Sequence, residues 1–396
     1  MNSVPRILYV ASHWPGAATY GAQQRVLHIG RLLQQVGHVG LAVVNCSAEA
    51  AQWRRQTERE FEMARVINAQ PLRARGLCQR IRHELDVRYL ATMPLGVSTD
   101  ERQAMLDLAR QYDIVWVHNI RTANVLGIYH WPRSVIDIDD LPSRLYRTSA
   151  LSTGNFIRRL LDLRMSVLWR RREARLAQRF SILLVCSEDD RRYIRGPRVR
   201  VLPNGFQRLT RVDRRPAWPP RIGFIGTFKY WPNVDGVHWF YTKAWPIIRQ
   251  HLPDCRLRLI GEGSEIAAGW GDGVEPLGRI DDAAVEIATW SVMIVPVRVG
   301  AGTRIKIAEA FARECPTVAT TLGAYGYGVR HGEELLLSDE PDMFAAQCVK
   351  LIQVPQEAKL LAERAYRRFL QNWTWDSYSG IVKDVVKEAT DAALIA

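Results

Sequence analysis

No lysine occurs among the first 200 of the 396 residues. That stretch carries 31 arginines against 18 carboxylates, an excess of 13 positive charges. The residues after it hold 23 basic and 23 acidic side chains and balance. Charge alone therefore suggests a boundary near residue 200. The basic half calls for an anionic partner: a membrane surface, a nucleic acid or a phosphorylated substrate. A GC-rich genome also favours arginine, but it does not explain the balanced second half. Cysteine is sparse, and Cys46, Cys78, Cys186, Cys255, Cys315 and Cys348 include no CxxC pair. This excludes a disulfide framework and argues against a structural zinc site, as expected for a reducing cytosol. No apolar run approaches the roughly 20 residues that span a bilayer. The first ten residues, MNSVPRILYV, are too short an apolar run for a signal peptide and read as a first strand. No GxGxxG follows the first strand of either half, which disfavours a dinucleotide-dependent oxidoreductase. No nucleic-acid-binding motif accompanies the basic charge, so nucleic acid is not expected as a partner. What remains, 47% hydrophobic and 24% charged, is ordinary for a soluble chain of two or three domains.

The most informative stretch is 296–328. An apolar run, Val292 to Val297, leads into Gly300-Ala301-Gly302-Thr303. A helical pattern follows through Ile305, Ile307, Ala308, Ala310, Phe311 and Ala312, and Pro316 to Ala319 is a further apolar run. Strand, glycine turn, helix and strand deliver backbone N–H groups and a helix N-terminus to one point, which suits an anion such as phosphate. Arg304 and Lys306 add charge, and Glu309, three residues after Lys306, can share its helix face. The same pattern would also fit an ordinary parallel-sheet unit with a solvated helix.

Along the chain, residues 6–11 and 39–45 predict strands around a helix over 22–35 that ends at Gly37. Residues 52–110 read as helix-rich, irregular and arginine-laden. Strands are expected at 113–117, ending at His118-Asn119, and at 135–138, which carries Asp137, Asp139 and Asp140. Those carboxylates fit a metal site or a merely polar strand end, and no metal ligand is assigned. Residues 155–180 predict one long amphipathic helix. Phe156, Leu160, Leu163, Val167, Leu176 and Phe180 form its apolar stripe, and eight arginines line the rest. It would lie on an anionic membrane or pack its stripe on the sheet. Strands at 182–186 and 199–202 complete the first half, and a proline- and arginine-rich linker follows over 206–220. Pro220-Arg221-Ile222 then echoes Pro5-Arg6-Ile7, and strand–helix alternation restarts. The expected fold class is α/β, with two doubly wound Rossmann-like domains whose strand C-termini point toward a shared cleft.

In this order the residues resemble a known family: the retaining, nucleotide-sugar-dependent glycosyltransferases of family 4, glycosyl transferases group 1, with the GT-B fold. The resemblance runs through Gly21 at the first helix, Gly37-His38-Val39, His118 and Cys186-Ser187. It continues through Val201-Leu202-Pro203-Asn204-Gly205 and Ile260-Gly261-Glu262-Gly263. It is strongest at Ile305 to Ala312 followed by Pro316 to Thr320. It implies an N-terminal acceptor domain over 1–205, a linker over 206–220 and a nucleotide-sugar domain over 221–375. A C-terminal helix over 376–396 would cross back to the N-terminal domain.

The resemblance also implies roles. His118, Arg304 and Lys306 become the candidate catalytic residues. Gly21, Gly226, Lys229, Gly261, Gly302, Thr303 and Glu309 become the donor-binding set, with no metal and no cofactor. Glu309 resembles the second glutamate of the family's E-x7-E motif, which holds the ribose. The first would fall at Ala301, so the usual carboxylate contact to the donor sugar is missing, and N–H groups of Gly302 to Arg304 could substitute. Thr227 stands where the family's diphosphate-binding arginine is expected. Diphosphate binding is therefore assigned to Arg304 and Lys306, with Lys229 nearby, and base recognition to backbone around Gly278 to Ile280. The implied activity moves a sugar from a nucleotide-diphosphate sugar to a glycolipid or polysaccharide acceptor at the inner face of the plasma membrane. A nucleotide-sugar epimerase and a non-catalytic binding subunit of the same fold are the alternatives.

Overall fold

The computed structural model describes residues 4–17, 21–45, 50–71, 76, 78, 81, 84–86, 95–131, 133–210, 212–280 and 282–391. The chain forms two compact units. The first comprises Met1–Arg147, Phe156–Pro203 and Tyr378–Ala396; the second comprises Thr148–Asn155 and Asn204–Ser377.

Strand β1 (Arg6–Ala11) of the first unit is apolar after its first residue, and Ile7 to Ala11 are wholly buried. Such a run, without polar alternation, is what a parallel strand covered on both faces requires. It is joined by β2 (His38–Asn45), β3 (Glu62–Asn68), β6 (Ile114–His118), β7 (Ser134–Ile138), β8 (Ile182–Val185) and β9 (Val199–Val201). The short β4 (Gln70–Pro71) and β5 (Leu95–Gly96) form a separate antiparallel pair. The main sheet runs β3-β2-β1-β6-β7-β8-β9, with every pairing parallel. Strand order reverses between β1 and β6, so Ala11 and His118 end side by side at a topological switch point, where doubly wound sheets bind ligands. The helix Ser379–Asp391 belongs to this unit; it buries Val382, Val385, Val386 and Ala389, and Glu388 pairs with Arg200.

The second unit repeats the plan with β10 (Arg221–Ile225), β11 (Arg256–Ile260), β12 (Val274–Gly278), β13 (Val292–Val295), β14 (Thr317–Ala319) and β15 (Leu336–Leu337). Its order is β12-β11-β10-β13-β14-β15, again parallel throughout and reversing between β10 and β13. Gly223 in mid-β10 is explained by Trp290: a Cβ there would lie 2.0 Å from the buried indole ring. Strand glycines commonly mark such close approaches.

Three local expectations need correction. Residues 62–68 lie in the region read as helical but form β3, whose pairing with β2 overrides the mixed polarity of EMARVIN. Strands β4, β5 and β15 were not anticipated, being only two residues each. The helix expected over 155–180 is Phe156–Glu173 followed by a 3-10 turn at Leu176–Gln178. Burial of Leu176 and Phe180, with Arg179 donating to the carbonyls of Ile128 and Tyr129, prevails over helical continuation.

Candidate functional site

At the second unit's switch point, Gly226 follows β10 and Gly261 follows β11. The two loops touch backbone to backbone: a Cβ on Gly261 would sit 2.0 Å from the Gly226 carbonyl oxygen. Gly261 has φ +138, which also favours glycine. A Cβ on Gly226 would lie 3.0 Å from Lys306 Nζ and 2.9 Å from Asn233 Nδ2. Lys306 sits in the first turn of the helix Ile305–Ala312 that follows β13. Its Nζ donates to Asn233 Oδ1 (2.7 Å), and Asn233 Nδ2 donates to the Thr227 carbonyl (2.8 Å). The ammonium also lies 4.2 Å from the centre of the Phe224 ring. Burial, then the charge of Arg304, pulls the Lys306 pKa down to about 7, against the opposing pull of Glu309. Among the described residues no carboxylate forms an ion pair with this desolvated ammonium, whose polar partner is Asn233.

The turn before that helix is built on Gly300 (φ +144) and Gly302 (φ +69). Arg304 folds back over it. Its Nη1 donates to the carbonyls of Ala301 and Gly302, and Nη2 lies against Gly300, where a Cβ would collide. Its Nε and Nη2 are buried, with no hydrogen-bond partner among the described residues. Tyr327 donates to the Arg304 carbonyl (3.0 Å), and Asn204 Nδ2 donates to Thr303 Oγ1 (3.0 Å). Ala301 is 2% exposed, so the position resembling a motif glutamate is enclosed by its own loop. Glu309, one turn beyond Lys306, accepts from Arg313 Nε (3.0 Å) and Nη2 (2.9 Å), both on Oε1. Lys229 is exposed and pairs with Glu262.

Gly226, Gly261 and Lys306 thus meet at one point. Gly302, Thr303 and Arg304 form the turn leading into the same helix, and Glu309 lies further along it. Lys229 stands at the rim, engaged by a surface carboxylate. Sequence reading gave Asn233, Phe224 and Tyr327 no site role and named Asn204 only within the Pro-Asn-Gly motif, without its contact to Thr303. Asn233 lies in a Trp-Pro-Asn run opening the helix Trp231–Trp239.

His118 and Gly21 belong to the first unit. Gly21 opens the helix Gly21–Gln34, and residues 18–20 before it lie outside the described residues. His118 is fully buried at the end of β6. Its Nδ1 is 2.8 Å from Ser12 Oγ, and its Nε2 is buried, with no partner among the described residues. Burial lowers its pKa, although Asp137 and Asp139 pull the other way. Ser12 Oγ also lies 2.7 Å from His13 Nδ1, and burial, then His118 and Arg121, brings His13 down to about 4. Asp137, one of the three strand-end carboxylates, is held by Arg25, which donates through Nε (3.0 Å) and Nη2 (2.5 Å) with both side chains fully buried. Arg25 also donates to the carbonyls of Leu202 (3.0 Å) and Pro203 (3.3 Å). Among the described residues no group of three His, Cys, Asp or Glu side chains is placed to hold a metal ion.

Residues 219–354 match the family model described as glycosyl transferases group 1. One curated relative, an uncharacterized 44.6 kDa protein in the cps region of Klebsiella pneumoniae, is 22% identical over 161 residues, 38% of this chain. The match spans 42% of that protein, less than half its length. Among solved structures, sucrose-phosphate synthase from Thermosynechococcus elongatus aligns with a TM-score of 0.68 at 14% identity, over 98% of this chain and 100% of the other. Anabaena HepE, solved with UDP and glucose, aligns at 0.64 and 15% identity, with the same coverage. With two parallel, switch-pointed sheets the chain has the GT-B fold, and its residues 219–354 are similar to glycosyl transferases group 1.

Proposed function

We propose that the protein moves a sugar, with retention at the anomeric carbon, from a nucleotide-diphosphate sugar to a membrane-held glycolipid or polysaccharide acceptor. The observation that carries this reading is Lys306: a desolvated ammonium at a helix N-terminus, against a glycine loop, without a counter-anion among the described residues. A diphosphate supplies that anion. The solved complex of HepE with UDP and glucose supports a nucleotide-sugar donor. The cps-region relative supports a polysaccharide product.

As the glycosidic bond breaks, negative charge gathers on the diphosphate. Lys306, the helix N-terminus and Nε and Nη2 of Arg304 stabilise it, and such aimed charges act where charge develops. The leaving phosphate oxygen takes the acceptor's proton, so no protein nucleophile is needed. Glu309 uses Oε1 for Arg313 and offers Oε2 to the ribose hydroxyls. Thr303 and the N–H groups of Gly302 to Arg304 face the donor where Ala301 has no carboxylate. Lys229 contributes only if the diphosphate displaces Glu262. Incubation with nucleotide sugars and a lipid extract is expected to release nucleoside diphosphate only when extract is present. Sugar isomerisation without acceptor would point to an epimerase instead, and nucleotide binding without turnover on any donor would point to a binding subunit.

The helix Phe156–Glu173 supports the membrane-held acceptor. Phe156, Leu160, Leu163 and Val167 recur at positions i, i+4, i+7 and i+11, one face of a helix. All four point to solvent, from 71% exposed at Phe156 to 40% at Leu163, and Ile157 and Leu161 extend the patch. Arg159 and Arg171 are exposed beside it. Arg170 and Arg172 are committed elsewhere: Arg170 stacks over Tyr193, and Arg172 is buried and donates to the carbonyls of Glu84 and Asp86. An apolar stripe edged by arginine suits an anionic bilayer surface. The double variant Leu160→Ser/Leu163→Ser is expected to lower partitioning onto phosphatidylglycerol vesicles by at least about tenfold. Unchanged sedimentation with vesicles would refute this, as would a stripe-dependent dimer in their absence.

A further inference from the structure

We propose that Ser12 and Asn119 fix His118 as a hydrogen-bond donor, its single ring proton held on Nε2 for an oxygen atom of the substrate. Ser12 follows β1, His118 ends β6 and Asn119 comes directly after it, so the switch point brings them together. Ser12 Oγ lies 2.7 Å from His13 Nδ1, 2.8 Å from His118 Nδ1 and 3.2 Å from Asn119 Nδ2. A hydroxyl has one hydrogen and two lone pairs, so it accepts from the Asn119 amide, donates to one of the two imidazole nitrogens and accepts from the other.

Asn119 decides which. Its Oδ1 accepts from the Thr122 N–H (3.0 Å) and the Thr122 hydroxyl (3.1 Å). That orientation leaves the Nδ2 hydrogens for Ser12 Oγ and, at 3.5 Å, for His118 Nδ1. A proton on His118 Nδ1 would face the amide hydrogens, whereas a lone pair there is attracted to them. His118 Nδ1 is therefore the acceptor, and Ser12 donates to it. The remaining lone pair of Ser12 accepts from His13 Nδ1–H. The two imidazoles carry opposite tautomers, coupled through one hydroxyl.

The neutral His118 ring then holds its proton on Nε2, which is buried and unpartnered among the described residues. An unsatisfied buried N–H is unfavourable, and that cost is recovered when an acceptor arrives. The group it awaits is an oxygen with a lone pair, a sugar hydroxyl or phosphate oxygen. In this state His118 cannot take a proton, so it positions substrate and does not act as a general base. Ser12 is a positioning residue that acts through His118. Naming the ligand rests on the nucleotide-sugar reading above, and the tautomers do not.

Ring-nitrogen NMR of the full-length protein labelled with 15N-histidine tests both parts, with signals assigned through His13→Gln and His118→Gln. The expected spectrum has protonated Nε2 on His118 and protonated Nδ1 on His13. Ser12→Ala should abolish the His13 Nδ1–H pattern, and Ser12→Thr should restore it. A proton on His118 Nδ1, or equal tautomers in the two rings, overturns the proposal. UDP-glucose, the probe for ligand, should shift the His118 Nε2–H signal. If the tautomers are as described and that signal stays fixed, the nucleotide-sugar assignment falls while the tautomer lock stands. In turnover, His118→Gln, which donates but cannot act as a base, should stay within about tenfold of wild type. A loss equal to that of His118→Leu overturns the donor role.

Discussion

Lys306→Met is expected to weaken nucleotide-sugar binding by about 10- to 100-fold, the value of one charged hydrogen bond. The loss should come with a change in pH dependence. Lys306 titrates near 7 in the free protein because burial and Arg304 oppose its charge. A bound diphosphate restores a counter-charge and raises that value, so binding takes up a proton wherever the free ammonium is already deprotonated. Affinity should be flat below about pH 7 and then fall by up to tenfold per pH unit until the bound-state value is passed. Nucleotide sugars suit the measurement because their phosphates are diesters and do not titrate there. Calorimetry in two buffers of different ionisation enthalpy reads the proton directly. If Lys306→Met keeps both the affinity and the pH slope, the anion does not sit at Lys306.

Arg25→Met is expected to destabilise the first unit by about 3–5 kcal/mol, because it leaves the Asp137 carboxylate buried and unpaired. Leu202 and Pro203 would also lose the donor to their carbonyls. Against a typical total of about 5–15 kcal/mol, this removes a large share of the margin. The unfolding midpoint should drop by roughly 10 °C. Asp137→Leu should have a similar effect through the stranded guanidinium. The double variant Arg25→Met/Asp137→Leu should lose less than the two singles together, since neither charge is then left alone. Strictly additive losses in thermal unfolding would mean that the pair is not coupled.

Arg25 also shows where sequence reading stops. On the helix Gly21–Gln34 an arginine reads as solvated, since the apolar pattern runs through Val26, Ile29, Leu32 and Leu33. Its partner is 112 residues away and is itself a charge, so no local signal marks either as core. The glycine turn and helix at 296–312 were legible because periodicity, glycine spacing and charge are all local. The Lys306–Asn233 contact, which sets the lysine's electrostatics, spans 73 residues and was not. Both doubly wound sheets could be read from buried strands alternating with amphipathic helices. Strand β3 could not, because an edge strand with one half-buried face has little to distinguish it. The outward stripe from Phe156 to Val167 was visible as a period, but its direction only became known with the fold. The same structure withdrew Arg170 and Arg172 from the exposed charge, since both are used within the unit.

The contact between Gly261 and the Gly226 carbonyl divides this scaffold for anyone who would retune it. At that point main chain lies on main chain, and no side chain fits without separating the loops. Under the proposed function, altered donor choice is therefore to be sought around the pair, at Thr227 or at Tyr230 and Trp231, which are 40% and 53% exposed. A library that randomised Gly261 would force the loops apart, whereas one that spared it would vary the proposed donor site with that backbone contact intact.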